Sequence, residues 1–530
     1  MRIKKEYATI EYFTVGALST SERYQVDVQI KTITDPGRID WINELTAQYP
    51  SDLIEVLFDT AHRNDLKLYI CGGVLRDWLN GTASRDLDLT IAYGAQSFLE
   101  EVAAALGRGT VVPLGMKHDD TCRLVVDPWS VDVSGFRKGA GTIAEDLLQR
   151  DFTINAMAAE AESFFSERAH RTIIDPLDGL YDLEEKVLKV CSGAFSDDPL
   201  RILRAFRFAA ELNFVISEQT RSDLRRCANL VTLSAVERIS YELNLIMASP
   251  RAHQAFIDML QTGVLQWIIP ELHEGHGVEQ PPFHHLDVLK HNIETLGMVE
   301  KILDDPVRYF PESASYLTSY LEQEARQKQL KWAGLFHDVG KPQCRVPDND
   351  DPDKITFYGH DETGAQLLKS YARRMRWNNE DTSATAHLIT MHMHPFHLLT
   401  VKRSAGKISQ RAKVNICRKA GESITGLFIL ARADDLSSMG ETKPAGIDKE
   451  LRSLHHELVT LYHDQVVPVI NGPKLLTGND LIDTLGLTPG PHFKEILASL
   501  ERAVIEGSIK TRAEALDWVK THMQSNGEVE

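Results

Sequence analysis

Strand and helix alternate from Lys67 to Val133, and beyond about Leu180 the pattern turns almost wholly helical. That switch constrains the chain more than any other feature. Alternation builds a sheet with helices against it, so the fold class is α+β and multidomain: an α/β head followed by all-α parts. The spacing predicts a helix over Ser51–Asn64 with Ser51 as its cap, and a strand over Lys67–Cys71 leading through a Gly-Gly turn into a helix near Val74. It then predicts a strand over Asp86–Ile91, a helix over Ala95–Leu106, and strands near Arg123–Val126 and Ser130–Val133. Before these, Tyr24, Val26, Val28 and Ile30 alternate with polar residues as one half-exposed strand would, and Pro36-Gly37 ends it. Pro270, Pro281 and Pro282 break the helical part, Lys443–Gly446 breaks it more weakly, and Gly472-Pro473 and Pro489-Gly490-Pro491 punctuate a last small helical unit.

With 530 residues the chain is too long for one core and suggests two to four domains. A hydrophobic content of 43% excludes disorder throughout. The densest apolar stretch, Ile424–Ala431, falls far short of the ~20 residues a bilayer needs, and the N-terminus lacks the apolar segment of a signal peptide. No membrane association is expected. Six scattered cysteines, without a C-x-x-C pair, suggest neither a disulfide framework nor a thiolate zinc site, and fit a reducing cytoplasm. The net charge of −18 argues against a uniformly basic surface but leaves room for local basic patches on an acidic body.

Gly72-Gly73-Val74-Leu75-Arg76-Asp77 lies between a strand and a helix. Paired glycines let backbone approach a phosphate, the helix N-terminus offers N–H groups, and Arg76 can reach the same anion; a plain turn is the alternative. On the strand Asp86–Ile91, residues two apart share a side, so Asp86 and Asp88 present two carboxylates to one place. A divalent cation between them relieves their repulsion, and oxygen-only ligands favour Mg2+. Asp132, on the alternating Val131-Asp132-Val133, offers a third carboxylate. Three carboxylates around two Mg2+ ions suit in-line nucleotidyl transfer, although aspartates in such pairs also cap turns or face solvent.

Gly72-Gly73-x-x-Arg76-Asp77 followed by Asp86-x-Asp88 resembles the signature of class II tRNA nucleotidyltransferases and bacterial poly(A) polymerases. Further blocks resemble that family in its order: Arg150-Asp151-Phe152-Thr153-Ile154-Asn155-Ala156-Met157, Asp175–Gly179 as the strand closing the head, Asp197–Phe208 as the nucleotide-selecting helix, and Ser234–Ile239 with Glu237-Arg238. Gln149 and Asp197 depart from it, standing where many members carry arginine and glutamate. The resemblance implies a head with a mixed sheet, with Asp86, Asp88 and Asp132 catalytic and the first two holding Mg2+. It implies a nucleotide held by Gly72, Gly73, Arg76, Arg150, Asp198, Arg201 and Arg204, with Arg207 rotated further round the helix. Asp198 and Arg201, three apart on a helix, could form a surface ion pair. They could equally read a base: a carboxylate accepts from the exocyclic amine of C or A, and a guanidinium donates to a ring nitrogen or carbonyl, so U and G are rejected without a template.

Histidines crowd Phe283–Asp435. The order His291, His337-Asp338, His360, His392, Asp434, with Gly334–Lys341 around its centre, resembles the HD superfamily of metal-dependent phosphohydrolases. The resemblance implies that His291, His337, Asp338, His360, His392 and Asp434 hold one or two divalent metals of unspecified identity. His394 competes with His392, and Asp435 with Asp434. Lys402–Lys419 carries Lys402, Arg403, Lys407, Arg411 and Lys413 with no acid, a candidate RNA-backbone contact or a solvated face. Arg373, Arg374 and Arg376 form a second basic cluster, and Arg221, Arg225 and Arg226 a third.

The expected domains are an extension over 1–50, a nucleotidyltransferase head over 51–180, a helical neck over 181–275, an HD domain over 276–442 and a helical tail over 443–530. The expected reaction is template-independent addition of CMP and AMP from CTP and ATP to the tRNA 3′ end, giving CCA. The alternatives are poly(A) synthesis, a partial CC- or A-adding enzyme, and an HD phosphohydrolase with a vestigial head.

Overall fold

A computed structural model describes residues 11–12, 29–84, 86–114, 120–166, 170–347 and 355–525. They form two compact units, 1–234 and 235–530.

The first unit is built on a nine-stranded mixed sheet: β1 (Glu11–Tyr12), β2 (Gln29–Ile33), β3 (Tyr69–Cys71), β4 (Asp86–Ile91), β5 (Thr110–Pro113), β6 (Thr121–Val126), β7 (Trp129–Gly135), β8 (Ala158–Glu160) and β9 (Arg171–Ile174). The spatial order is β1-β2-β9-β8-β3-β4-β7-β6-β5. Among the described residues of this sheet only β4 and β7 pair parallel, with Asp86 opposite Ser130 and Asp88 opposite Asp132; β6 runs antiparallel on the far side of β7, with Arg123 opposite Asp132. The predicted strand at Asp86–Ile91 and helix at Ala95–Leu106 form with those bounds.

The stretch expected to be an extension joins the head. β2 pairs with β9, and α1 (Pro36–Thr46) buries Ile39, Ile42 and Leu45. Asp35 caps α1, its side chain accepting from Arg38 N–H at 2.8 Å, so Pro36 both ends a strand and opens a helix, its fixed φ suiting the first helical turn. Tyr24, Val26 and Val28 lie outside the described residues. α2 (Ser51–Arg63) starts at Ser51, with Pro50 rather than Ser51 at the cap position.

Gly72, at φ +74°, turns β3 into α3 (Gly73–Leu79). α4 (Ala95–Leu106) packs against α2 and β6, burying Phe98, Leu99 and Val102. α5 (Arg201–Leu212) buries Ile202, Leu203, Ala205, Phe206 and Phe208. Asp175–Gly179, expected to be a strand, follows β9 as a turn. Asp175, fully buried, accepts from the N–H groups of Gly179 at 2.7 Å and Leu180 at 3.0 Å. A Cβ on Gly179 would lie 2.1 Å from the Thr153 carbonyl oxygen, so the two backbones can pass only at glycine.

The second unit is helical apart from a short ladder pairing Val346–Pro347 with Ile355–Thr356. Its centre is α6 (Val288–Asp304), α7 (Glu324–Phe336), α8 (His360–Arg374), α9 (Asn379–Met391) and α10 (Ile424–Ser437), the last buried almost all round. Leu476, Leu481, Ile496, Leu500 and Val519 form a separate small core near its end.

Candidate active site and metal centre

In the first unit, Asp88, Asp132 and Arg123 occupy one row across three adjacent strands. Burial, then Asp132, pushes the Asp88 carboxyl up to about 6; Asp86 adds to the rise, while Arg150 and the Val74 N–H oppose it. A carboxyl raised by burial and by its neighbours' charge marks a place short of positive charge, and that fits a divalent cation. Asp86 stands at the exposed start of β4 and accepts from the Ser130 hydroxyl. Tyr49 donates to the Ser84 carbonyl at 3.0 Å and the Asp86 carbonyl at 3.2 Å, tying the start of the strand down. Both oxygens of Asp132 are held by Arg123, at 2.6 and 2.7 Å, so the expected third carboxylate comes with a bidentate cation of its own.

The Gly-Gly turn stands against this row. Ideal Cβ atoms at Gly72 and Gly73 would each lie 3.8 Å from Asp88 Oδ2. Arg76 donates to Asn155 at 2.9 Å and Asp77 at 2.8 Å. Arg150, expected at the nucleotide, is buried beneath the turn. It donates to Asp146 at 3.1 Å, to Thr90 at 3.1 Å and to Cys71 Sγ at 3.0 Å, and its Nη1 lies 3.2 Å from an ideal Gly72 Cβ. It underpins the turn, where sequence alone suggested a direct grip.

Arg204 clamps Asp151 through two nitrogens at 2.6 and 3.0 Å. Burial favours the neutral acid, but Arg204 and Asn155 hold Asp151 down to about 2. Asp198 is not on a helix with Arg201: it is extended (φ −141°, ψ 103°), and α5 begins at Arg201. Pro199 explains this, because a residue before proline is driven out of the helical region. Asp198 accepts from Leu200 N–H at 3.1 Å. Arg201 donates to the carbonyls of Gln149, Arg150 and Ala194 at 3.2, 3.4 and 3.5 Å, long bonds that are cheap to break.

The second unit holds a tighter cluster. His291 on α6, His337 and Asp338 after α7, His360 at the start of α8, His392 after α9 and Asp434 on α10 converge. Asp338 Oδ2 lies 3.5 Å from His291 Nε2 and 3.3 Å from His337 Nε2; Oδ1 lies 3.3 Å from His360 Nε2 and 3.6 Å from His392 Nε2. Asp338 thus joins two triads, each with its ligand atoms within 4.8 Å of one another.

The outer nitrogens settle which atom carries the proton. Nδ1 of His337, His360 and His392 meets the carbonyl three residues back, at Gly334, Phe357 and Ile389, over 2.9, 2.7 and 2.7 Å. A carbonyl only accepts, so Nδ1 donates and Nε2 faces inward, bare on a neutral ring; on His337, which burial lowers but Asp338 and Asp434 push up to about 10, a cation would take the place of the Nε2 proton. Nε2 atoms of His291 and His337, and of His360 and His392, then face each other at 3.2 Å. Burial opposes a charged Asp338, yet His337 and Lys341 hold its carboxyl well below the ordinary carboxylate range. Inward Nε2 atoms around an ionised carboxylate fit divalent metal.

Within each rival pair the geometry separates the residues. Asp434 lies 3.1 Å from His291, whereas Asp435 pairs with Lys443 at 3.0 Å. His392 is in the cluster, while His394 lies beside His397. Lys341, 2.5 Å from Asp338 and 2.7 Å from Gln280, carries no role in the sequence reading; its place closing the Gly334–Lys341 motif was the available signal. A cavity of ≈ 580 Å3 reaches Asp338, His360 and Asp434, with Lys341, Arg403 and Phe396 on its walls.

The basic stretch is less bare than its sequence suggests. Arg403 donates to Glu450 at 2.9 Å, Lys413 pairs with Glu457, and Arg418 donates to Glu501 at 2.7 Å. Lys407 and Arg411 are exposed and Lys402 is half-buried. The other two clusters are answered in the same way: Arg374 by Glu271, Arg376 by Glu237, Arg225 by Glu218 and Arg226 by Asp223.

Four family descriptions match along the chain: "Poly A polymerase head domain" over 68–189, "Probable RNA and SrmB-binding site of polymerase A" over 213–275, "HD domain" over 288–439, and "tRNA nucleotidyltransferase domain 2" over 449–519. The chain is 31% identical over 465 residues to the A-adding tRNA nucleotidyltransferase of Deinococcus radiodurans, covering 85% of this chain and 94% of that one. It is 29% identical over 452 residues to the CC-adding tRNA nucleotidyltransferase of Thermus thermophilus, covering 84% and 91%. In fold it resembles the Thermotoga maritima CCA-adding enzyme complexed with tRNA, with a TM-score of 0.60, 19% identity, and coverage of 91% and 98%.

Proposed function

The chain belongs to the family of tRNA nucleotidyltransferases built on the poly(A) polymerase head, and from that premise we propose that it adds CMP and AMP from CTP and ATP to the tRNA 3′ end to give CCA. The carrying observation is the row of Asp88 and Asp132 beside the Gly-Gly turn, with Asp86 on the same strand. Asp86 and Asp88 would hold Mg2+, which supplies charge stabilisation for in-line displacement at the α-phosphorus. Asp132 orients the row through Arg123. The turn N–H groups and Arg76 grip the triphosphate, with Arg150 supporting the turn from below, and Arg204 holds Asp151 beneath the nucleotide. Asp198 and Arg201 read the base edge.

In the second unit, His291, His337, Asp338, His360, His392 and Asp434 would hold divalent metal for hydrolysis of a phosphoester. Exposed Lys407 and Arg411, with Lys402, would touch tRNA phosphates; Arg403 and Lys413 contribute less because Glu450 and Glu457 already neutralise them. No helix among the described residues is long and apolar enough to cross a membrane, and all six cysteines are free, which supports placement in a reducing cytoplasm.

The test is incubation with tRNA lacking CCA, ending in C or ending in CC, with CTP, ATP or both, sized at single-nucleotide resolution. Three additions ending in A support the proposal. Arrest at CC, action only on CC ends, or a long A tail would each replace it with a narrower or different transferase. In the same assay, Lys407→Glu with Arg411→Glu should raise the tRNA KM about threefold or more at physiological salt.

A further inference from the structure

Three guanidinium groups from two helices surround one aromatic ring. Cζ of Arg207 lies 4.3 Å from the Phe208 ring centroid, and Cζ of Arg204 and of Arg76 each lie 5.1 Å from it. Arg204, Arg207 and Phe208 ride on α5, whereas Arg76 comes from α3. The ring is 5% exposed, and its edge meets Phe152 with centroids 5.6 Å apart at 85°. Phe208 therefore touches the helix after the Gly-Gly turn, the Arg150–Met157 block and the helix that opens with Arg201.

Each cation also has an acid. Arg76 pairs with Asp77 at 2.7 Å, Arg204 with Asp151 at 2.6 Å and Arg207 with Glu211 at 3.4 Å. An ion pair fixes where one edge of a guanidinium points and constrains its plane less; Arg76 is held further by Asn155 at 2.9 Å. Attraction to a ring face constrains the plane as well. Arg201, Arg204 and Phe208 recur at three- and four-residue spacing, so they form one stripe of α5.

We propose that Phe208 is a positioning residue for the incoming nucleotide, holding Arg76 and Arg204 in one fixed arrangement, so that the same ring sets triphosphate grip through Arg76 and, through the α5 stripe it shares with Arg201, base selection. This rests on the nucleotidyl-transfer reading of the first unit. A side chain that merely filled the core would need bulk alone; a ring that orients cations needs its π face.

The experiment compares full-length wild type, Phe208→Leu, Phe208→Met and Phe208→Tyr for kcat and KM with CTP, ATP and UTP. Binding of CTP with Mg2+ is measured separately by calorimetry, and thermal midpoints are recorded. Phe208→Leu and Phe208→Met should raise the KM for CTP and ATP about tenfold with kcat changed less, and should narrow the preference for CTP over UTP; Phe208→Tyr should stay within about twofold of wild type. An unchanged KM in a folded Phe208→Leu or Phe208→Met protein overturns the proposal, as does equal impairment of the leucine, methionine and tyrosine variants. If Phe208→Leu does not fold, the less disruptive Phe208→Met decides. If wild type transfers nothing to any tRNA, the transferase reading fails, and the calorimetric comparison still reports whether the ring governs nucleotide binding.

Discussion

The two acidic centres are built in opposite ways. In the first unit the carboxylates stand on neighbouring strands at the edge of solvent, with Asp86 exposed and Asp132 already engaged by Arg123. In the second, four imidazoles and two carboxylates meet in a buried knot, and three of the rings are locked by backbone carbonyls. Among the described residues, groups of three or more ligands within 4.8 Å occur only in that knot. The difference fits what each centre's proposed partner would bring. A nucleoside triphosphate carries its own oxygens, so a Mg2+ site needs only one or two protein carboxylates. A centre that must keep its metal without such a partner has to supply the whole cage and fix each ring from outside.

The harshest way to break this contrast is Asp88→Asn, which keeps shape and removes charge. Nucleotide addition should fall at least ~10^3-fold while metal bound by purified protein stays unchanged; residual activity within tenfold of wild type would deny the strand carboxylates their role. Next comes Asp338→Ala, which cuts the link between both triads. Metal retained after desalting, read by elemental analysis, should drop about tenfold or more, with nucleotide addition within about twofold of wild type. Loss of both together would mean that the centres are not separable.

A smaller effect sharpens the contrast through pH. Asp88 is raised to about 6, so its carboxylate is present above that pH and is lost as pH falls through it. At limiting Mg2+, nucleotide addition should decline by up to about tenfold per unit below pH 6, and saturating Mg2+ should shift the decline to lower pH. A flat profile from pH 7 to 5 would leave the carboxyl without control of the metal.

Much of this was legible in the chain. Period-two and period-3.6 patterns gave β4 and α4 their bounds, and the motif order located both centres. What stayed hidden depended on register or rotation. Arg123 meets Asp132 only because β6 and β7 pair with those residues opposite. Asp434 differs from Asp435 by the ~100° that each residue turns on a helix, while His392 follows α9 and His394 opens the next helix. The acids that neutralise the basic stretch, Glu450, Glu457 and Glu501, arrive from helices some forty to eighty residues further on. Pro199 could have removed Asp198 from the helix, and that β2 and α1 join the head shows only once β2 is paired between β1 and β9, whose residues lie far along the chain from it or outside the predicted strands.

Three of the imidazoles in the second unit are each tethered to a carbonyl of their own segment rather than to a neighbouring one. Such a ring travels with its segment as a rigid finger. A cation of larger or smaller radius bound there would therefore be met by segments shifting rather than by a ring swivelling, and the cost of changing occupant would fall on interhelical packing instead of on ligand orientation.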